Sequence, residues 1–312
     1  MKNKLNLIGI ILLVFGILTV AVTMFVIDFS FENMVTVTEK TNDVKGEFTS
    51  IEIVAEDADV TILPSTNGKC TITTRYKKGG EINHTVKDGK LLVEENEANF
   101  AMFNFSSNSI VLYLPQEAYS ALKIDGSSCD IDISGVKFDT AEIDVSSGEV
   151  SLKNMKLTSL YIEGSSGEIE LENVEVEKGA SIKASTADVK VINSRVGENL
   201  SVELRTGELT VETATVGNVS AEVTSGDIEL ENLVSLGEIK LKVSTADIEL
   251  DGCDASTIDI ETSTGDVMGK LLSSKIFYVT TSTGDVSVPK STEGGICQVK
   301  TSTGDVTFTI SK

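Results

Sequence analysis

The chain has no tryptophan, one histidine (His84) and few aromatics, with 5 Tyr and 11 Phe in 312 residues. Sugar-binding clefts and protein hot spots lean on aromatic side chains, so both are disfavoured. Basic residues are also scarce: 26 Lys and Arg face 48 Asp and Glu, a formal net charge of −22. A nucleic-acid partner needs a basic surface and is excluded on that ground. The four cysteines, Cys70, Cys129, Cys253 and Cys297, form no C-x-x-C pair. Neither a disulfide framework nor a zinc site is indicated, and the thiols read as small buried fillers.

Charge is absent from one stretch. Residues 7–27, LIGIILLVFGILTVAVTMFVI, carry no ionisable side chain. At about 1.5 Å per residue a helix of that length spans roughly 30 Å, the thickness of a bilayer core. Lys2 and Lys4 precede it, and Asp28 and Glu32 follow. The positive-inside rule then leaves residues 1–6 in the cytoplasm and everything after the span outside it, as a single-pass protein of the cell membrane. A cleaved secretory signal is the competing reading; the long apolar run with a single alanine argues against it.

Beyond residue 118 the chain repeats. A small residue recurs at Cys129, Gly148, Gly167, Ala187, Gly207, Gly226, Ala246, Gly265, Gly284 and Gly304, always 19 or 20 residues apart. Such a period marks a solenoid. With the small residue at position 0, positions −7, −5 and −3 are mostly apolar, as in Leu200, Val202 and Leu204. Positions +2 and +4 are apolar too, as in Ile228 and Leu230. Period two within each run means strands with one buried face, and the change of parity between them requires a bend at position 0. Because Ala187, Ala246 and Cys129 share that position with glycine, tight packing is expected there rather than an obligatory positive φ. Ser or Thr at −1 is expected to form an inward column, and residues after +4 an outer loop. The fold class is therefore all-β: a parallel β-solenoid (β-helix) of about ten 19–20-residue coils over residues 118–312.

Residues 28–117 read as a juxtamembrane segment and β cap. Ile51-Glu52-Ile53 leading to Ala58-Asp59-Val60 resembles an opening coil. Asp88-Gly89 marks a hairpin turn. Phe100, Phe103 and Phe105 suggest an apolar cap core. A cap is needed because a solenoid has open edges. After Val306 only six residues remain, so the last coil, Cys297 to Ile310, is expected to offer a bare edge for self-association.

The apolar N-terminal segment, the Asp88-Gly89-Lys90-Leu91-Leu92-Val93 hairpin, the Val111-Leu112-Tyr113-Leu114-Pro115 element and the repeated S-[ST]-G-[DE]-[VI] motif resemble a bacterial family. The likeness, over about residues 45–312, is to membrane-anchored β-strand repeat proteins described as putative adhesins, the LiaG-like proteins among them. It implies an envelope protein with a β-helix-like domain. It implies no catalytic residue, since the family has none established. Cys129 departs from the motif and makes the first regular coil atypical.

Position +1 is acidic in all ten copies, from Asp130 to Asp305. The simplest role is bonding to backbone N–H groups at the bend. The sharper one is cation binding: calcium takes six to eight oxygens, and Asp247, Asp266, Asp285 and Asp305 are the candidate metal ligands. No cofactor is otherwise indicated. No coil acquires its own His or aromatic cluster, as an active site would require. The expected function is a non-catalytic, acidic cell-envelope module for binding or adhesion. Its candidate partners are a cationic peptide, a cell-wall polymer or another protein. A carbohydrate-active β-helix enzyme with paired carboxylates is one alternative. An accessory protein of an envelope-stress signalling system is another.

Overall fold

The structure is a computed structural model and describes residues 37–77, 80–96 and 108–311. The apolar segment 7–27 and the Phe100, Phe103 and Phe105 cluster lie outside the described residues. Among the described residues no helix is long and apolar enough to cross a membrane. All the strands of the described residues join one 27-stranded sheet wound into a solenoid. Equivalent positions pair in parallel from coil to coil: Leu200 with Val219, Val219 with Ile239, Ile239 with Ile258. At the usual strand spacing of about 4.8 Å the stack is roughly 50 Å long.

Each regular repeat coil has three walls, one more than the sequence pattern suggested. In the coil around Gly207 the first wall buries Leu200, Val202 and Leu204, and the second buries Leu209 and Val211. The supposed outer loop contributes a third, burying Ala214 and Val216. Neighbouring coils repeat it with Val174 and Val176, or with Met155 and Leu157. A fully buried Val, Leu or Ile contributes roughly 1.5–3 kcal/mol, so three walls per coil supply a continuous core that needs few aromatics, Tyr119, Phe138 and Phe308 among them.

Two corners separate these walls. At the first, positions −2, −1 and +1 all face outwards. The Ser/Thr column at −1, Thr206 and Ser225 included, is therefore exposed and not inward as expected. The chain leaves strand alternation right after position −3, which resets the parity. Gly207 at this corner has φ 135°, and a Cβ there would lie 1.9 Å from the carbonyl oxygen of Ala187 in the adjacent coil. Tight packing is confirmed, but the glycine copies also need a positive φ; Ala187 and Ala246 turn the same corner without one. The second corner falls at position +6. There Asn154, Asn173, Asn193, Thr213 and Asn232 are left-handed, with φ between 49° and 54°. Asn tolerates that region; β-branched Thr213 does not tolerate it well.

Chain order and spatial order part company at both ends. Near the N-terminus the coil of strands Ser50–Ala55 and Ala58–Pro64 lies between two others. One is formed by Ala118–Ser128 and Ile131–Ser134. The other, formed by Lys90–Asn96 and Asn108–Leu114, is outermost. The Asp88-Gly89 turn joins Glu81–Lys87 antiparallel to Lys90–Asn96, as expected, with φ values of 53° and 76°. Thr71–Lys77 covers Asn108–Leu114, also antiparallel, and is itself paired with Val37–Asp43. The cap thus contributes layers to the solenoid as well as covering it.

At the other end Gly295–Lys300 pairs with both Thr257–Thr264 and Lys275–Thr280, and Val306–Ile310 with both Val267–Leu271 and Val286–Ser287. The last coil in sequence is the penultimate one in space. The edge expected on Cys297 to Ile310 belongs instead to Lys275–Ser287. A parallel ladder accepts any apolar coil of matching length, so loop reach decides the order and the repeat pattern does not encode it.

Candidate functional site

The corner carboxylates come first, because the sequence singles them out. Their Oδ1 atoms accept the backbone N–H of the +1 residue one coil on. Asp247 N donates to Asp227 at 3.0 Å and Asp266 N to Asp247 at 2.7 Å. Asp305 N donates to Asp266 and Asp285 N to Asp305, both at 2.7 Å. The same link joins Glu149 N to Asp130 and Glu208 N to Asp188. Only aspartate accepts in this way, since the longer glutamate carries its carboxylate past the neighbouring amide. Asp247, Asp266, Asp305 and Asp285 therefore form one ladder in that spatial order. Each of the first three keeps one carboxylate oxygen outside it. Among the described residues no three His, Cys, Asp or Glu side chains converge as a metal-holding group.

A second acidic feature escaped the sequence reading. Three consecutive coils line the second wall with acids: Glu208 and Glu212 at +1 and +5, then Asp227, Glu229 and Glu231, and Asp247, Glu249 and Asp251, at +1, +3 and +5. Their register is direct, with Thr210, Glu229 and Glu249 in one row and Glu212, Glu231 and Asp251 in another. Partial burial, then the charges of Glu208, Glu249, Asp227 and Glu212, raise the Glu229 carboxyl above the ordinary range. On the neighbouring coils acids of the same wall are paired with lysines. Lys153 lies 2.7 Å from Glu170 and 3.3 Å from Glu172, and Lys190 lies 2.8 Å from Glu168. On the 208–251 wall the single ion pair among the described residues is Lys270 to Asp251, at 3.6 Å on its margin. The signal was present as G-E-L-T-V-E, G-D-I-E-L-E and A-D-I-E-L-D, and was hidden by attention to position +1.

The first wall carries a shallow groove of about 270 Å³ lined by Glu163, Lys183, Glu203, Arg205 and Glu222. It forms where position −3 shrinks to Gly164 and Ala184. Lys183 is paired there with Glu203 at 3.2 Å, so the groove is mixed in charge. The cysteines take no part in either site. Burial pushes the Cys129, Cys253 and Cys297 thiols up to about 12 and Cys70 up to about 11, far from the thiolate a nucleophile needs.

With this geometry in place the chain can be assigned. It belongs to the Toastrack DUF4097 family, whose model matches residues 48–245 and again 197–312. No curated protein matches it. Among solved structures it is similar to a putative lipid binding protein from Parabacteroides distasonis. That pair is 15% identical, with TM-score 0.47, covering 86% of this chain and 96% of the other. It is also similar to a putative adhesin from Bacteroides fragilis, 12% identical with TM-score 0.42, covering 89% and 99%. A putative cell adhesion protein from Clostridium sporogenes is 14% identical with TM-score 0.25, covering 88% and 100%. Likenesses this loose do not bear on function.

Proposed function

We propose that the protein is a non-catalytic cell-envelope module. In this reading residues 7–27 hold it in the membrane, and its solenoid, outside the cytoplasm, binds a cationic partner on the wall from Glu208 to Asp251. One observation carries the reading: three consecutive coils stack acids on a wall whose only lysine partner among the described residues stands at its margin. Like charges about 5 Å apart repel by about 1 kcal/mol or less in water. A lysine-rich peptide or a cationic wall polymer relieves that repulsion as it binds, and association through such a field weakens with salt. The corner aspartates are occupied in joining coils, which favours a binding surface over a reacting carboxylate pair.

The test is calorimetric titration of the full chain with a lysine-rich peptide at low and physiological salt. Saturable binding that falls about tenfold or more in Glu229→Gln/Glu249→Gln supports the reading. Absence of binding at low salt, or a double variant that binds as well as the parent, contradicts it. A parallel titration with calcium, against magnesium, tests Asp247, Asp266, Asp285 and Asp305 as ligands. Protease accessibility in intact cells tests the side of the membrane.

A further inference from the structure

Among the described residues the strand Lys275–Thr280 is paired on one side only, to Gly295–Lys300, and Val286–Ser287 only to Val306 and Thr307. The alternate N–H and C=O groups on their other side are open to a further strand. This end also gathers exposed apolar surface. Of seven exposed large hydrophobics among the described residues, Met268, Leu272, Tyr278, Val286 and Ile296 lie in its last three layers. Behind them Phe277 and Val279 are only partly buried, so the core itself ends uncovered. Exposed edges of this kind are ordinarily blunted by charge or covered. Here charge does not blunt it: residues 272–294 contain Lys275 and Lys290 against Asp285 and Glu293, a net charge of zero in a chain of −22.

We infer that this edge pairs with the same edge of a second copy, Lys275–Thr280 running antiparallel to its twin across a two-fold axis and joining two solenoids end to end. Charge selects the occupant. Two copies repel wherever their acidic walls meet, and a basic partner is drawn to those walls; the neutral end is where two identical acidic rods approach without penalty. Geometry agrees. At the opposite end the fold covers its edge with antiparallel strands, Thr71–Lys77 and Glu81–Lys87. A two-fold axis supplies the same antiparallel cover here, and it closes the assembly at two copies. Pro289 lies just beyond Val286–Ser287, so the longer strand, Lys275–Thr280, carries the pairing. Val37–Asp43, through which the apolar segment joins the domain, belongs to the opposite end. The joined ends would therefore face away from a membrane, as contact between two cell surfaces requires; this orientation rests on the anchor reading, the pairing itself does not.

Sedimentation velocity of the full chain in mild detergent, over a range of concentrations, tests the pairing. The expected result is a monomer–dimer equilibrium. The exposed-site variant Tyr278→Asp/Val286→Asp should weaken it at least tenfold without changing the melting temperature. Leu236→Asp, exposed on the flank of the rod, should leave it unchanged. A parent that stays monomeric at the highest concentration overturns the proposal, as does a dimer that survives the edge variant or is lost in Leu236→Asp.

Discussion

At one end of the stack, antiparallel strands overlie the outermost coil, and a buried carboxylate from that coil seals the corner of the coil beneath it. At the other, a parallel strand is left bare beside a buried lysine. The seal is Glu95, whose Oε2 accepts the backbone N–H groups of Glu56, Asp57 and Ala58 at 2.8, 3.0 and 3.0 Å. Asn108 holds the other oxygen at 2.6 Å and also donates to Asp57. The buried lysine is Lys275, which donates to Asp254 at 2.6 Å and to Ser273 at 2.5 Å. One end satisfies the free amides of a corner with a side chain; the other ties its outermost strand back to Asp254, in a coil further in, and leaves the edge without a partner strand among the described residues. Closing a repeat stack is thus a matter of polar bookkeeping as much as of apolar cover.

Breaking the seal should have the largest effect. Glu95→Ala leaves three backbone donors without an acceptor and is expected to cost about 3–5 kcal/mol, read as a lower urea midpoint. Asp254→Ala strands the Lys275 ammonium, whose side chain is 3% exposed, and should cost about 3 kcal/mol. Burial alone raises the Asp254 carboxyl, but hydrogen bonds from Lys275 and Ser273 outweigh it and hold it below its ordinary value. A depressed carboxyl stabilises the fold above its unfolded pKa and loses that contribution as pH falls through the folded one. The gap between Asp254→Ala and the parent should accordingly narrow in acid.

Between the two ends the effects should be smaller. Asp266→Ala frees the amide of Asp305 and should cost about 1 kcal/mol, whereas Glu168→Ala, which holds no such amide, should cost only a few tenths. Thermal melts of the two variants separate the roles of aspartate and glutamate at one repeat position. Thr213→Asn relieves a β-branched residue from a left-handed corner and should stabilise by about 0.5–1 kcal/mol. The smallest effect belongs to Glu229→Gln. Its raised carboxyl stabilises the fold below its unfolded pKa and loses that contribution as pH rises through the folded value. The variant should therefore melt slightly higher than the parent at neutral pH, and the difference should vanish in acid.

The repeat, its period and two of its three walls were legible in the sequence, because alternation and spacing are local properties of the chain. The third wall was legible too, in pairs such as Val174 and Val176, but the turn residues around them disguised it as a loop. The left-handed column needed Asn and Gly to be aligned at position +6, where Thr213 breaks the pattern. The corner aspartates were correctly tied to backbone amides, although the amide belongs to the next coil. Coil order was not legible at all. Inward Ile, Val and Leu rows present the same ladder to any neighbour, and nothing in Lys275–Ser287 marks it as outermost except its lack of net charge.

That order is the claim on which the open end depends, and amide hydrogen exchange of the full chain tests it directly. In the Tyr278→Asp/Val286→Asp variant, where no second copy covers the edge, strand Lys275–Thr280, with one neighbour, should exchange faster than Gly295–Lys300, which lies between two. Slower exchange in Lys275–Thr280 than in Gly295–Lys300 would restore a stack in chain order and contradict the account.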